Sequence, residues 1–134
     1  MKLQTSLDSQ NLNSEKRPWG SFKEIYKNEL INVKVIKVNP KSKLSLQSHK
    51  KREEHWIIEQ GYARVTLNKE KIYLEKGQQV HIPQGAIHRL ENTHHTDQLV
   101  VIEIQQGSYF GEDDITRYED CLLYTSPSPR DQLQ

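Results

Sequence analysis

This sequence is poor in most of what marks a helical protein, a membrane span or a thiol site. No segment sustains a helical period. No apolar run approaches the length that crosses a bilayer, and the opening MKLQTSLDSQNLNSEK lacks the apolar stretch of a secretory signal. Surplus charge is missing too. Nineteen basic residues stand against eighteen acidic ones, so no field draws the whole chain to nucleic acid or to a membrane. At 134 residues there is room for one core and not for two. The single cysteine, Cys121, sits in foreign surroundings. CLLYTSPSPRD, Cys121 to Asp131, shares neither composition nor pattern with what precedes it. It matches, residue for residue, the translation of a sequencing transposase adapter. Residues 121–134 are therefore expected to be a non-native tail. Disulfide and thiol chemistry then drop out, and nothing opposes a cytoplasmic location. Residues 1–16 read as a flexible polar lead-in and 17–120 as the domain.

What the domain has is short strands. VKVIKV (Val33 to Val38), LSLQ (Leu44 to Gln47), HWIIE (His55 to Glu59), YARVTL (Tyr62 to Leu67), KIYL (Lys71 to Leu74), QVHI (Gln79 to Ile82) and QLVVIEI (Gln98 to Ile104) are rich in β-branched and aromatic residues. NKEK after Leu67 suits a hairpin turn. Asn39-Pro40, Lys76-Gly77 and Pro83-Gln84-Gly85 are further breaks. Short strands at this spacing predict an all-β sandwich or closed barrel.

Polar groups interrupt this apolar pattern at two places. In LSLQSHKKREEHWIIEQG, Gln47 and His49 are two apart and share one face of a strand. After the loop, Glu54 opens the next strand, and Gly61 closes it. In GQQVHIPQGAIHRLEN, the Pro-x-Gly turn directs His88 back inward. Buried polar groups gathered this way point to a metal site in a small barrel.

These residues carry a resemblance. Gly77, Pro83, Gly85, His88 and Asn92 stand at the spacing of the second cupin motif without a gap. The first cupin motif matches from position 47, with Gln47 replacing its first histidine and Lys41 its leading glycine. The chain is more closely similar to the cupin domain of type II mannose-6-phosphate isomerases, commonly fused behind a mannose-1-phosphate guanylyltransferase. RPWGSF (Arg17 to Phe22), KLSLQSHKKREEHW (Lys43 to Trp56), IPQGAIHRLEN (Ile82 to Asn92) and GSYFGEDDITRYED (Gly107 to Asp120) look like that family's blocks, in its order. No Gly-rich nucleotide signature precedes Arg17, so this chain alone is not expected to make GDP-mannose.

The resemblance implies a double-stranded β-helix (jelly-roll) and four metal ligands: Gln47, His49, Glu54 and His88. The chemistry agrees, because two imidazoles with oxygen donors suit Zn²⁺ first, and also Mn²⁺, Fe²⁺, Co²⁺ or Ni²⁺. It further implies reversible isomerisation of mannose 6-phosphate and fructose 6-phosphate, feeding GDP-mannose and polysaccharide biosynthesis. Lys50, Lys51 and Arg52 are expected to grip the phosphate. Arg52 and Arg89 are expected to hold the phosphate and the developing anion, with Glu112 among the candidates for the base. Asp113 and His55 are the others, although strand alternation turns His55 away from Glu54. His81 is expected to pack, His94-His95 to lie in a solvated loop, and Trp19 and Trp56 to sit in the core or at the rim. Cupins commonly pair through strands, so a homodimer is the assembly implied. The alternatives are a non-catalytic sugar-phosphate-binding cupin or a separated domain of the bifunctional enzyme. A cupin dioxygenase is disfavoured because those proteins usually place histidine where Gln47 stands.

Overall fold

A computed structural model describes residues 12–118. The expected foreign tail from Cys121 lies outside the described residues, as do Glu119 and Asp120. Among the described residues, no helix is long and apolar enough to cross a membrane.

The strands are β1 (Ser14–Arg17), β2 (Gly20–Lys27), β3 (Ile31–Val38), β4 (Ser42–Lys43), β5 (Leu46–His49) and β6 (Arg52–Gln60). They continue as β7 (Tyr62–Leu67), β8 (Glu70–Glu75), β9 (Gln79–Ile82), β10 (His88–Asn92), β11 (Leu99–Gly107) and β12 (Ile115–Tyr118), the last preceded by a 3-10 turn at Glu112–Asp114. One sheet runs β1-β2-β3-β11-β6-β9 and the other β12-β5-β10-β7-β8, with β4 also on β10. From β5 onward the chain passes repeatedly between the sheets. Each passage leaves a strand end of one sheet facing a strand start of the other.

Of the lead-in expected through Lys16, Ser14 to Lys16 belong instead to a strand. Ser14 to Arg17 pair with Lys23 to Gly20, because an antiparallel ladder needs only backbone amides and tolerates polar side chains on an edge. The strand expected at Leu44–Gln47 is also displaced. Leu44 donates its N–H to the Leu90 carbonyl, the chain breaks there, and β5 begins at Leu46 and ends on His49.

Alternation builds the core. Ile36 and Val38 of β3, Trp56 and Ile58 of β6, Val65, Ile82, Leu90, Leu99 and Val101 all point between the sheets. Each fully buried aliphatic side chain is worth about 1.5–3 kcal/mol. The turns carry the positive-φ residues that close strand turns. Asn68 takes φ 54° in the β7–β8 hairpin, where asparagine tolerates that conformation. Lys41, at the family's glycine position, takes φ 57°. The backbone there keeps the glycine-like geometry although the residue has changed. At Gly61 (φ 87°) a Cβ would lie 2.7 Å from the Gln98 carbonyl oxygen, so both conformation and space require glycine.

Candidate metal centre

Two sheet crossings meet at one end of the barrel. His49 ends β5 in one sheet, two loop residues follow, and Arg52 and Glu54 occupy the first two inward positions of β6 in the other. His88 opens β10 directly after the Pro83–Gly85 turn. Two backbone bonds secure that turn: Gly85 N–H donates to the His49 carbonyl at 2.7 Å, and Ala86 N–H donates to the Pro83 carbonyl at 3.2 Å. The first bond ties the two motifs together.

One donor atom from each of His49, Glu54 and His88 lies within 4.8 Å of the others, and all three residues are buried. His49 Nδ1 is 3.6 Å from Glu54 Oε2, and His88 Nε2 is 3.8 Å from Glu54 Oε1. The imidazole of His88 is fixed from behind. Its Nδ1–H donates to the Ala86 carbonyl at 2.9 Å, which leaves the Nε2 lone pair facing Glu54. Burial, with Arg52 and His88 nearby, pushes the His49 pKa down to about 3. Burial also lowers His88. Both rings are therefore neutral at physiological pH, as metal ligands must be. Two neutral imidazoles and one carboxylate fit a divalent transition ion.

Glu54 is held by donors on every side. Arg52 Nε donates to its Oε2 at 3.0 Å, and Trp56 Nε1 donates to its Oε1 at 3.0 Å. Arg52 also donates from Nη2 to His49 Nε2 at 2.8 Å and from Nη1 to the Phe110 carbonyl at 3.2 Å. A second carboxylate was not anticipated from the sequence. Glu103 of β11 accepts from Trp56 Nε1 at 3.1 Å and from Gln105 Nε2 at 2.9 Å. Burial, and the Glu54 charge beside it, push its pKa up to about 7. Its position follows alternation, because Leu99, Val101, Glu103 and Gln105 form one inward row of β11.

Above these groups opens a cavity of about 230 Å³. Of the residues singled out in the sequence, Gln47, Arg52, Glu54, His88, Arg89 and Glu112 line it with Trp19 and Trp56, and His49 lies outside the lining. Gln47 is paired in register with His88, while its side-chain amide donates to Ser45 Oγ at 3.1 Å. Arg89 is buried and donates from Nε to the Leu44 carbonyl at 3.0 Å. Glu112, on the 3-10 turn, sits 3.4 Å from Arg17 Nη2.

Lys50 and Lys51 are exposed and are not among the lining residues. Their backbone N–H groups donate to the Asp114 carboxylate, and Lys51 Nζ lies over the Tyr109 ring. Three cations without an expected role do line the cavity: Arg17, Lys34 and Arg117. Arg17 and Lys34 both lie over the Phe22 ring, at 5.3 and 4.6 Å from its centroid. Arg117 belongs to β12, where it pairs with Gln47. Strand β12 thus serves as part of the cavity wall, through Ile115 and Arg117.

Of the remaining histidines, His55 points outward as alternation requires. His81, expected to pack, is instead partly exposed and bonded to Glu53. His94 accepts from two backbone N–H groups of its own loop. Trp56 is core, and Trp19 lies on the cavity rim.

The chain resembles known proteins. The mannose-6-phosphate isomerase C-terminal family model matches residues 5–120. The chain is 47% identical over 104 residues to xanthan biosynthesis protein XanB of Xanthomonas campestris pv. campestris, covering 78% of this chain and 22% of that protein. It is 45% identical over 104 residues to mannose-1-phosphate guanylyltransferase ManC of Salmonella typhimurium, again covering 78% and 22%. The chain therefore spans less than a quarter of the length of these relatives. Among solved structures, capsular polysaccharide assembling protein CapF of Staphylococcus aureus superposes with a TM-score of 0.71 at 23% identity, over 81% of this chain and 34% of that one. The fold is the all-β cupin fold. With the family model matched over nearly the whole domain, the chain belongs to the mannose-6-phosphate isomerase C-terminal family.

Proposed function

We propose that this domain is a metal-dependent aldose–ketose isomerase that interconverts mannose 6-phosphate and fructose 6-phosphate and feeds polysaccharide biosynthesis. One observation carries the reading. A buried His49–Glu54–His88 cluster presents Glu54 and His88 to a cavity whose lining includes five cationic side chains, Arg17, Lys34, Arg52, Arg89 and Arg117. An anionic substrate with oxygen donors suits both halves of that arrangement.

His49, Glu54 and His88 would hold the ion, with Gln47 beside them as the fourth ligand. Bound there, a divalent ion supplies a Lewis acid that polarises a sugar carbonyl. The side chains do the rest. Arg52 fixes Glu54 and places a positive charge next to the reacting end, where an enediolate develops; its bond to His49 Nε2 would be released when that ring takes the ion. The phosphate falls to the cations of the wall, Arg89 with Arg17, Lys34 and Arg117, rather than to Lys50 and Lys51 outside it. Glu112 is assigned as the base. It takes the proton from C2 as the C1 carbonyl becomes an enediolate, and returns it to C1 as the C2 hydroxyl proton passes to O1, leaving the ketone at C2 and a hydroxyl at C1. Such a substrate is confined by its charge to the compartment that makes it, so the reading carries a cytoplasmic location.

The test is a coupled mannose 6-phosphate isomerase assay on the purified chain after chelation, with Zn²⁺, Mn²⁺, Fe²⁺, Co²⁺ and Ni²⁺ restored singly. Turnover that depends on the ion, and is lost with its binding in His49→Ala and in His88→Ala, supports the reading. An ion and sugar phosphate bound without turnover would leave a binding module instead.

A further inference from the structure

Strand β6 carries metal-type donors on both of its faces. Glu54 points between the sheets, while its neighbours Glu53 and His55 point outward. The β6–β9 register sets His81 directly opposite His55. The two imidazoles stack, with centroids 4.6 Å apart and planes 20° apart. His81 Nε2 lies 2.5 Å from Glu53 Oε1, and His55 Nε2 lies 4.0 Å from the same oxygen. One donor atom from each of the three residues falls within 4.8 Å of the others.

We propose that Glu53, His55 and His81 form a second divalent metal site, on the outer face of the sheet and independent of the buried one. The donor set selects the ion. Two imidazoles and one carboxylate favour zinc and its transition-metal neighbours over magnesium or calcium. A tetrahedral zinc holds its donors about 3.4 Å apart, a value between the two nitrogen–oxygen distances here. These side chains are 36–47% exposed, so small rotations reach that spacing while the paired strands hold the backbone. An ordinary surface hydrogen bond accounts for Glu53 and His81. It does not involve His55, whose Nε2 faces the same oxygen at 4.0 Å. Three protein ligands leave a fourth position open to water or to an outside donor.

The proposal does not rest on the isomerase reading, and metal stoichiometry separates the two. The full chain is stripped with chelator, titrated with zinc chloride alone and assayed for bound zinc per chain. The wild-type chain is expected to take up one more equivalent than His81→Ala. Glu53→Gln, which keeps the side chain's shape, is expected to bind that additional equivalent at least tenfold more weakly. In His88→Ala, which removes a buried ligand, added zinc is expected to shift the ring resonances of His55 and His81 together. Equal zinc uptake by wild type, His81→Ala and Glu53→Gln would overturn the proposal, whatever the isomerase assay shows.

Discussion

Glu103→Gln in the metal-free protein should make stability depend more steeply on pH. Glu103 carries a pKa pushed up to about 7 from an ordinary value of 4.5. Between those values the folded state holds a proton that the unfolded state has released. Its contribution to stability therefore falls as pH rises, by about 1.4 kcal/mol per pH unit. His49 acts in the opposite direction. Its pKa is pushed down to about 3 from 6.5, so below the ordinary value the unfolded state binds a proton that the folded state refuses. Its contribution rises with pH over the same window, and the lowered His88 adds to it. In the wild type, Glu103 and His49 nearly cancel, leaving the slope set by His88. Glutamine removes the opposing proton. The stability of Glu103→Gln should then climb about 1.4 kcal/mol per pH unit more steeply than wild type, or roughly 3 kcal/mol across the window. Glutamine has one acceptor where Glu103 receives two donors, from Trp56 and Gln105. That loss shifts the whole curve without changing its slope. Urea unfolding with chelator present, at steps from about pH 5 to about pH 6.5, reads the slope directly. Parallel curves for the two proteins would show that Glu103 does not hold a proton in this range, and the reasoning would fail.

Other perturbations separate the cavity from its surroundings. Lys34→Ala and Arg117→Ala should each raise the KM for mannose 6-phosphate about tenfold or more, as lost charge-assisted bonds do. Lys50→Ala and Lys51→Ala should leave it nearly unchanged; the reverse pattern in steady-state kinetics would return the phosphate grip to the loop. Leu90→Ala should cost about 2–5 kcal/mol in chemical denaturation, since Leu90 is fully buried between the sheets. Gly61→Ala should cost about 2 kcal/mol or more by the same measurement, from its positive φ and the Gln98 carbonyl.

Fold class was legible because alternation and turn residues are local signals. Val33 to Val38, Tyr62 to Leu67 and Gln79 to Ile82 were each marked out as strands, and each is one. Three other strands were not. Ser14–Arg17, Gly20–Lys27 and Ile115–Tyr118 are polar or mixed in composition, and strand type there is decided by the neighbour that offers a ladder. The break between β4 and β5 was equally invisible, because a non-local bond, Leu44 to Leu90, sets it.

The site divides along the same line. His49, Glu54 and His88 could be named because motif spacing fixes them at the two crossings. Lys34, Glu103 and Gln105 were readable in principle. Lys34 shares its row with Ile36 and Val38, and Glu103 shares its row with Val101. Composition argued against alternation at those positions, since a charged side chain is expected to seek water. Alternation prevailed because the cavity gives inward charges partners: Trp56 and Gln105 for Glu103, and the Phe22 ring for Lys34. His81 shows the limit of that rule. Alternation places it on a face, but only the pairing of β9 with β6 places it against His55 and Glu53. A residue's face is thus encoded within its own strand, while its partners are encoded in the sheet order. The buried cluster could be read because a motif records both, and the outer cluster could not because no motif does.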